Sequence, residues 1–141
     1  MDSFINQEIT QFIPQRRPFI LVDKLRSCVP EETNSIFEVK ENHLLVDGQY
    51  LLAGGLVENM AQTAAAGTGY LNRMAGEEVK RGYIGAIKNL RVYARPMVGT
   101  TLYTRSYSIN KVLNVTIIKA EVRNEKNFLY AECEMKIFLE E

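Results

Sequence analysis

The chain has 141 residues, 46% of them hydrophobic, with 17 Lys and Arg balanced by 17 Asp and Glu. That is one domain's length, spanning 1–141, with ample apolar matter for a core and no basic excess to suit nucleic acid. MDSFINQEIT is acidic and polar and does not read as a signal peptide, and no apolar run is long enough to span a membrane. Two distant cysteines, Cys28 and Cys133, and a single histidine, His43, leave no metal cluster within one chain. They point instead to a reducing, cytoplasmic compartment, and no cofactor is expected.

Ser3–Phe12 reads as a short helix with Ser3 as its cap and Phe4, Ile5, Ile9 and Phe12 as its apolar side; Pro14 ends it. Pro18 then hands over to a β-type run, Phe19–Val22, which Asp23 interrupts. Pro30–Glu32 is a turn, Ser35–Lys40 a second strand, and Glu41–Tyr50 a loop with Asp47-Gly48 as its turn signal.

The next stretch, LLAGGLVENMAQTAAAGTGY, organises the rest. Val57, Met60, Ala61, Ala64, Thr68 and Leu71 follow helical spacing, and the opposite face is hardly more polar. A helix apolar all round is a buried helix, expected here over about 54–75 and fraying by Gly76. Gly67 and Gly69 cost it roughly 1 kcal/mol each, which close approach of another backbone would offset. Glu58 and Gln62, four apart, face the same way. A carboxylate on such a helix must be paired, neutralised or chemically at work. Gly54-Gly55 stand just before the helix, where free backbone N–H groups suit a thioester carbonyl or another anionic oxygen. The alternative is a core helix whose Glu58 reaches the surface or a structural partner.

After a charged link, Glu77–Arg81, four strands run to the C-terminus: Gly82–Tyr93, with Gly85 at a bulge or close contact, Thr101–Ile109, Val115–Arg123 and 129–137. Asn124–Asn127 is the hairpin loop between the last two. The whole is α+β, an antiparallel sheet wrapped around one long central helix. Such a sheet leaves an edge, and joining two copies edge to edge makes a homodimer or a higher even oligomer.

Three segments carry a family resemblance. IPQRRPFILVDKL resembles the PHR-x-PF-LLVDR opening of the hotdog-fold 3-hydroxyacyl-acyl carrier protein dehydratases. LLAGGLVENMAQTAAA resembles their PG-VL-x-EAMAQ-A helix, and YIGAIKNLRVYARPMVGTTL their F-x-G-I-x-x-x-[KR]F-x-[KR]PV-x-PGD strand. The segments come in family order and span most of the chain. The pattern is nearest to the divergent aryl-polyene-type dehydratase-like members, which carry a shortened loop before the helix.

The resemblance implies a hotdog fold and thioester chemistry, in which a histidine and a helix carboxylate from the two subunits of a dimer share the proton transfers and helix-start N–H groups polarise the carbonyl. Glu58 matches the carboxylate, Gln62 the glutamine after it, and Gly54 and Gly55 the glycine before it. The family's GHFP-x-x-P-x-x-PG loop is not kept: Gly48-Gln49-Tyr50 is its nearest match, so Gln49 stands where the histidine should, and Gln15 replaces the histidine of the opening motif. Glutamine cannot shuttle a proton near neutral pH. His43 or Asp47 is then the substitute partner for Glu58.

Three functions follow. One is dehydration of a 3-hydroxyacyl thioester, carried on acyl carrier protein or coenzyme A, in fatty acid or polyene biosynthesis. Another is a hotdog acyl-thioesterase in which Glu58 activates water. The last is a non-catalytic subunit that forms a heterodimer with an active paralogue. Lys88, Arg91, Arg95, Arg16 and Arg17 are either a docking surface for an acidic carrier or an ordinary solvated face. Tyr50, Leu51, Leu52, Met60, Ile84 and Ile87 are either a tunnel lining or core packing.

Overall fold

The computed structural model describes residues 4–80 and 82–140. In chain order it contains a 3-10 turn (Ile9–Gln11), β1 (Lys24–Val29), β2 (Glu32–Glu38), β3 (Val46–Asp47), β4 (Tyr50–Leu51), α1 (Ala53–Met74), β5 (Gly82–Val92), β6 (Thr101–Val112), β7 (Val115–Arg123) and β8 (Leu129–Leu139). Six strands form one antiparallel sheet in the order β1-β2-β6-β7-β8-β5, while β3 and β4 make a separate small hairpin. The alternation seen in β7 and β8 puts Ile118, Ala120, Val122, Ala131, Cys133 and Met135 on the face turned to α1. From the helix, Leu56 and Met60 meet them, together with Leu21, Leu51 and Leu102.

A second cluster lies on the other side of the helix. Ile9, Phe12, Ile13, Ile20, Val22 and Leu25 pack there against Ala66 and Tyr70. Phe12 meets the Tyr70 ring edge-on, with centroids 5.5 Å apart. This packing corrects the expected N-terminal helix. Only Ile9–Gln11 turns, because Ile5 N–H bonds to Leu25 O at 2.9 Å and holds the preceding chain extended beside β1. The expected cap, Ser3, lies outside the described residues.

The two helix glycines are explained by contact. A Cβ at Gly67 would collide with the Thr33 side chain, and one at Gly69 with the backbone of Phe12. The N-terminal segment therefore lies directly on the helix backbone. Gly69→Ala is expected to lower stability by about 1–3 kcal/mol despite alanine's better helix propensity, because the clash is with backbone. Urea denaturation checks this; an unchanged or raised midpoint would refute the tight contact. Gly85 behaves as its position suggested: the β5–β8 register shifts between Ile84 and Ala86, and the Phe138 ring covers the glycine.

Among the described residues β5 is a sheet edge with no strand beyond it. All its residues except Ala86 are exposed, including Tyr83, Ile84, Ile87, Leu90 and Val92. The opposite edge, β1, is met by the N-terminal segment through Leu25 O. No helix among the described residues is long and apolar enough to cross a membrane.

Candidate functional site

Around the first two turns of α1, the run Phe19–Val22 is not the strand its composition suggests. Its backbone bonds to side chains of the helix instead. Asn59 Nδ2 donates to Leu21 O (2.7 Å), Leu21 N–H donates to Gln62 Oε1 (2.7 Å), and Gln62 Nε2 donates to Phe19 O (3.0 Å). Asn59 is completely buried, and its Oδ1 accepts from the Thr104 hydroxyl on β6 at 2.6 Å. One turn on, Thr63 donates to Asn59 O and exchanges a 2.7 Å bond with Ser35 on β2. Buried polar side chains in an apolar helix thus pin a sheet strand and an extended segment to it.

Gln62 has one further bond: Nε2 also donates to Glu58 Oε1 at 3.1 Å. The glutamine amide is buried, and both its donors and its oxygen are engaged. Its place is behind Glu58, where it orients the carboxylate. Glu58 itself is half-buried and lines a cavity of about 130 Å³. Ala61, Ala64, Ala65 and Thr68 continue the helix wall, Ile84, Ile137 and Leu139 form the sheet wall, and Pro14 and Gln15 the rim. Glu58 and Lys80 are the ionisable groups among these lining residues.

α1 begins at Ala53, within a residue of the expected start. Gly54 and Gly55 are in its first turn, not ahead of it, with Leu52 as an N-cap that offers no side-chain bond. Gly55 is there because Leu51 lies beneath it, 2.7 Å from where a Cβ would stand. Gly54 is exposed, with open space around it. Gly55 N–H bonds to Leu52 O at 2.8 Å, which leaves those of Ala53 and Gly54 without intrahelical acceptors. Glu58 is four residues after Gly54, on the same helix face and ~6 Å further along the axis.

The remaining expected residues are placed apart from the carboxylate. Leu45 N–H donates to His43 Nδ1 (3.0 Å), so Nε2 carries the proton and donates to Ile20 O (2.9 Å). The ring also packs edge-on against Phe37. Both nitrogens are thereby used in fixing the loop to the 19–22 segment, and neither bonds to Glu58. Gln49 and Asp47 are exposed on the β3–β4 hairpin, whose turn is made by Gly48 at φ 66°. Tyr50 is exposed beneath the Arg95 guanidinium, 5.7 Å from the ring centroid. Of the side chains offered as tunnel lining, Ile84 reaches the Glu58 cavity; Leu51 and Met60 are core, and Tyr50 and Ile87 are exposed. Lys88, Arg91, Arg95, Arg16 and Arg17 are all exposed.

The cysteines are packing groups. Burial pushes the Cys133 thiol up to about 11, and Cys133 sits 3.8 Å from the Met60 sulfur; burial raises Cys28 as well. Among the described residues no three His, Cys, Asp or Glu are grouped to hold a metal ion. Sequence reasoning missed the clamp role of Asn59, although an asparagine inside an otherwise apolar helix was its signal. Gln15, which the resemblance set in place of the opening motif's histidine, is a neighbour of the Glu58 cavity.

Sequence comparison with curated proteins gives no match. Among solved structures, the dehydratase heterocomplex ApeI:P from Xenorhabdus doucetiae is similar at TM-score 0.83 and 12% identity, covering 97% of this chain and 93% of that one. A hypothetical thioesterase with coenzyme A from Streptococcus pneumoniae reaches TM-score 0.68 at 9% identity, covering 82% and 84%. The PaaI protein of the E. coli phenylacetic acid degradation operon reaches 0.65 at 14%, covering 81% and 80%. These likenesses establish the hotdog architecture, one long helix against a six-stranded antiparallel sheet. A family model described as ApeP-like, ApeP dehydratase, matches residues 7–138. The chain therefore belongs to the ApeP-like dehydratase family, hotdog proteins of dehydratase-like, acyl-thioester function.

Proposed function

We propose that the chain binds a 3-hydroxyacyl thioester with its acyl chain in the 130 Å³ cavity and uses Glu58 as a proton-transfer group in its dehydration. The observation that carries this is Glu58 itself: a half-buried carboxylate at an otherwise largely apolar cavity, oriented by a buried glutamine. The free Gly54 N–H, at the start of the helix face that carries Glu58, suits the thioester oxygen as negative charge develops on it. Loss of the C2 proton and departure of the C3 hydroxyl leave a C2–C3 double bond and release water. Glu58 serves one of the two proton transfers.

The second transfer needs another group. His43 is engaged on both ring nitrogens, and Gln49 cannot titrate. This favours supply from across a subunit boundary formed at β5, whose exposed apolar edge lies beside the cavity through Ile84. A second chain bearing a histidine fits that place, in a mixed dimer; a similar protein, ApeI:P, is described as a dehydratase heterocomplex. A homodimer uses the same edge. Leu90→Glu places a charge in it and is expected to convert dimers, mixed or homomeric, into single chains. Light scattering after gel filtration measures the mass; a wild-type single chain at micromolar concentration, alone and with the paralogue, would remove this reading.

Thioester hydrolysis is the competing reaction, favoured by the same absence of a histidine at the cavity. Enoyl product and free thiol, followed in one assay on 3-hydroxyacyl and saturated thioesters, separate the two. Thiol release from both substrates without enoyl product would replace dehydration by hydrolysis.

A further inference from the structure

The free edge of β5 carries a pattern that is the same read from either end. Its register with β8 fixes which way each side chain points. Ile84, Ile87 and Val92 stand opposite Ile137, Met135 and Ala131, on the face turned to α1. Tyr83, Ala86, Lys88 and Arg91 stand opposite Phe138, Lys136, Glu134 and Glu132, on the outer face. Two bulges divide the strand, one at Gly85 and one between Lys88 and Arg91, where Asn89 turns at φ 53°. Each adds one residue to β5 relative to β8, and they flank Ile87 on either side.

We propose that the strand meeting β5 is β5 of a second copy of this chain, antiparallel, with Ile87 on the two-fold axis. This rests on the reading of β5 as the subunit boundary. In that register Ile87 faces its own copy, Ala86 faces Lys88, and Tyr83 faces Arg91. Residues of the helix side meet each other, and so do those of the outer face. The extra residue of each bulge is matched by the extra residue of the opposite bulge on the other strand, so the pairing does not slip. Charge agrees with this register. Lys88 and Arg91 are the only charged residues of the strand, and each faces a neutral one; Tyr83 gives the Arg91 guanidinium an aromatic neighbour. Moving the axis by half a residue sets Ile87 against Lys88 or Ala86, one face against the other. Moving it by a whole residue sets Lys88 against its own copy, or against Ile84. In the matched register Leu90 of the second copy falls opposite Ile84, beside the Glu58 cavity. A histidine-bearing chain then has to displace a copy of this one to reach Glu58.

Engineered cysteines read the register without any need for turnover. Residues directly opposite on paired strands have Cα atoms about 4.5–5.5 Å apart, within a disulfide's span of about 4.4–6.8 Å, while diagonal neighbours stand about 7–8 Å apart. The full-length chain is made with Ala86→Cys and Lys88→Cys together, with each of these alone, and with Ile87→Cys alone. Wild type is the control for Cys28 and Cys133. After mild oxidation, the double variant and Ile87→Cys are expected to give at least about fivefold more covalent dimer on a non-reducing gel than Ala86→Cys or Lys88→Cys alone. Either of those single variants cross-linking as strongly as the double overturns the register. So does a wild-type dimer, seen by light scattering, whose double and Ile87→Cys variants both fail to cross-link. A wild type that stays a single chain at micromolar concentration and dimerises only with the paralogue overturns the second copy as occupant but leaves the boundary at β5 standing. A single chain in both cases rejects the boundary itself, and this inference with it.

Discussion

Glu58→Gln is expected to lower the rate of dehydration, or of the reverse hydration of a 2-enoyl thioester, by about 10²–10⁴-fold, the usual worth of a general acid or base. The amide has the carboxylate's shape, and its oxygen still accepts from Gln62 Nε2, now 3.1 Å away. What it loses is the ability to take and return a proton. The thermal midpoint should therefore move little, and thioester binding should persist. The assay follows enoyl absorbance for the chain alone and for its complex with a histidine-bearing paralogue. Unchanged kcat in both would make Glu58 a structural carboxylate and leave the protein an architectural subunit.

The second large effect is on stability. Asn59→Leu puts an apolar side chain of similar size in the helix but strands two buried groups, Leu21 C=O and the Thr104 hydroxyl. Each unsatisfied group costs about 1–3 kcal/mol, so a loss of about 2–5 kcal/mol is expected, or a fall in Tm of roughly 10 °C. Adding Thr104→Val should recover part of it, because the orphaned hydroxyl is then gone; a double-mutant cycle in urea gives the coupling. If the two losses simply add, the Asn59–Thr104 bond is not an energetic unit. The clamp also holds the Phe19–Val22 segment over Gln62, so activity should fall with stability in Asn59→Leu and with proton transfer alone in Glu58→Gln.

The strands after the helix were legible because half-burial imposes a period of two. Val115–Arg123 alternates Ile118, Ala120 and Val122 with charged neighbours, and β7 has those bounds. The helix was legible for a similar reason, and its glycines correctly announced close neighbours. Phe19–Val22 misled because an apolar β-type run has a strand's composition whichever partner satisfies its backbone. Here Asn59 and Gln62 side chains, about forty positions away, take the place of a ladder. The N-terminal residues misled likewise: apolar spacing shows what is buried, but a single bond to Leu25 O decided that the chain there runs extended.

For the site, the sequence by itself determined which side chain stands out as a candidate. A carboxylate in the one helix with no polar face stands out before any coordinates exist, and so does Gln62 one turn later. Only the tertiary structure decided that Gln62 ties Phe19 and Leu21 to the helix while it holds Glu58, and that His43 is committed on both nitrogens. The physical reason is that residue type and spacing fix what a side chain can donate, accept or bury within its own element. Which partner consumes that capacity depends on segments brought together from far along the chain.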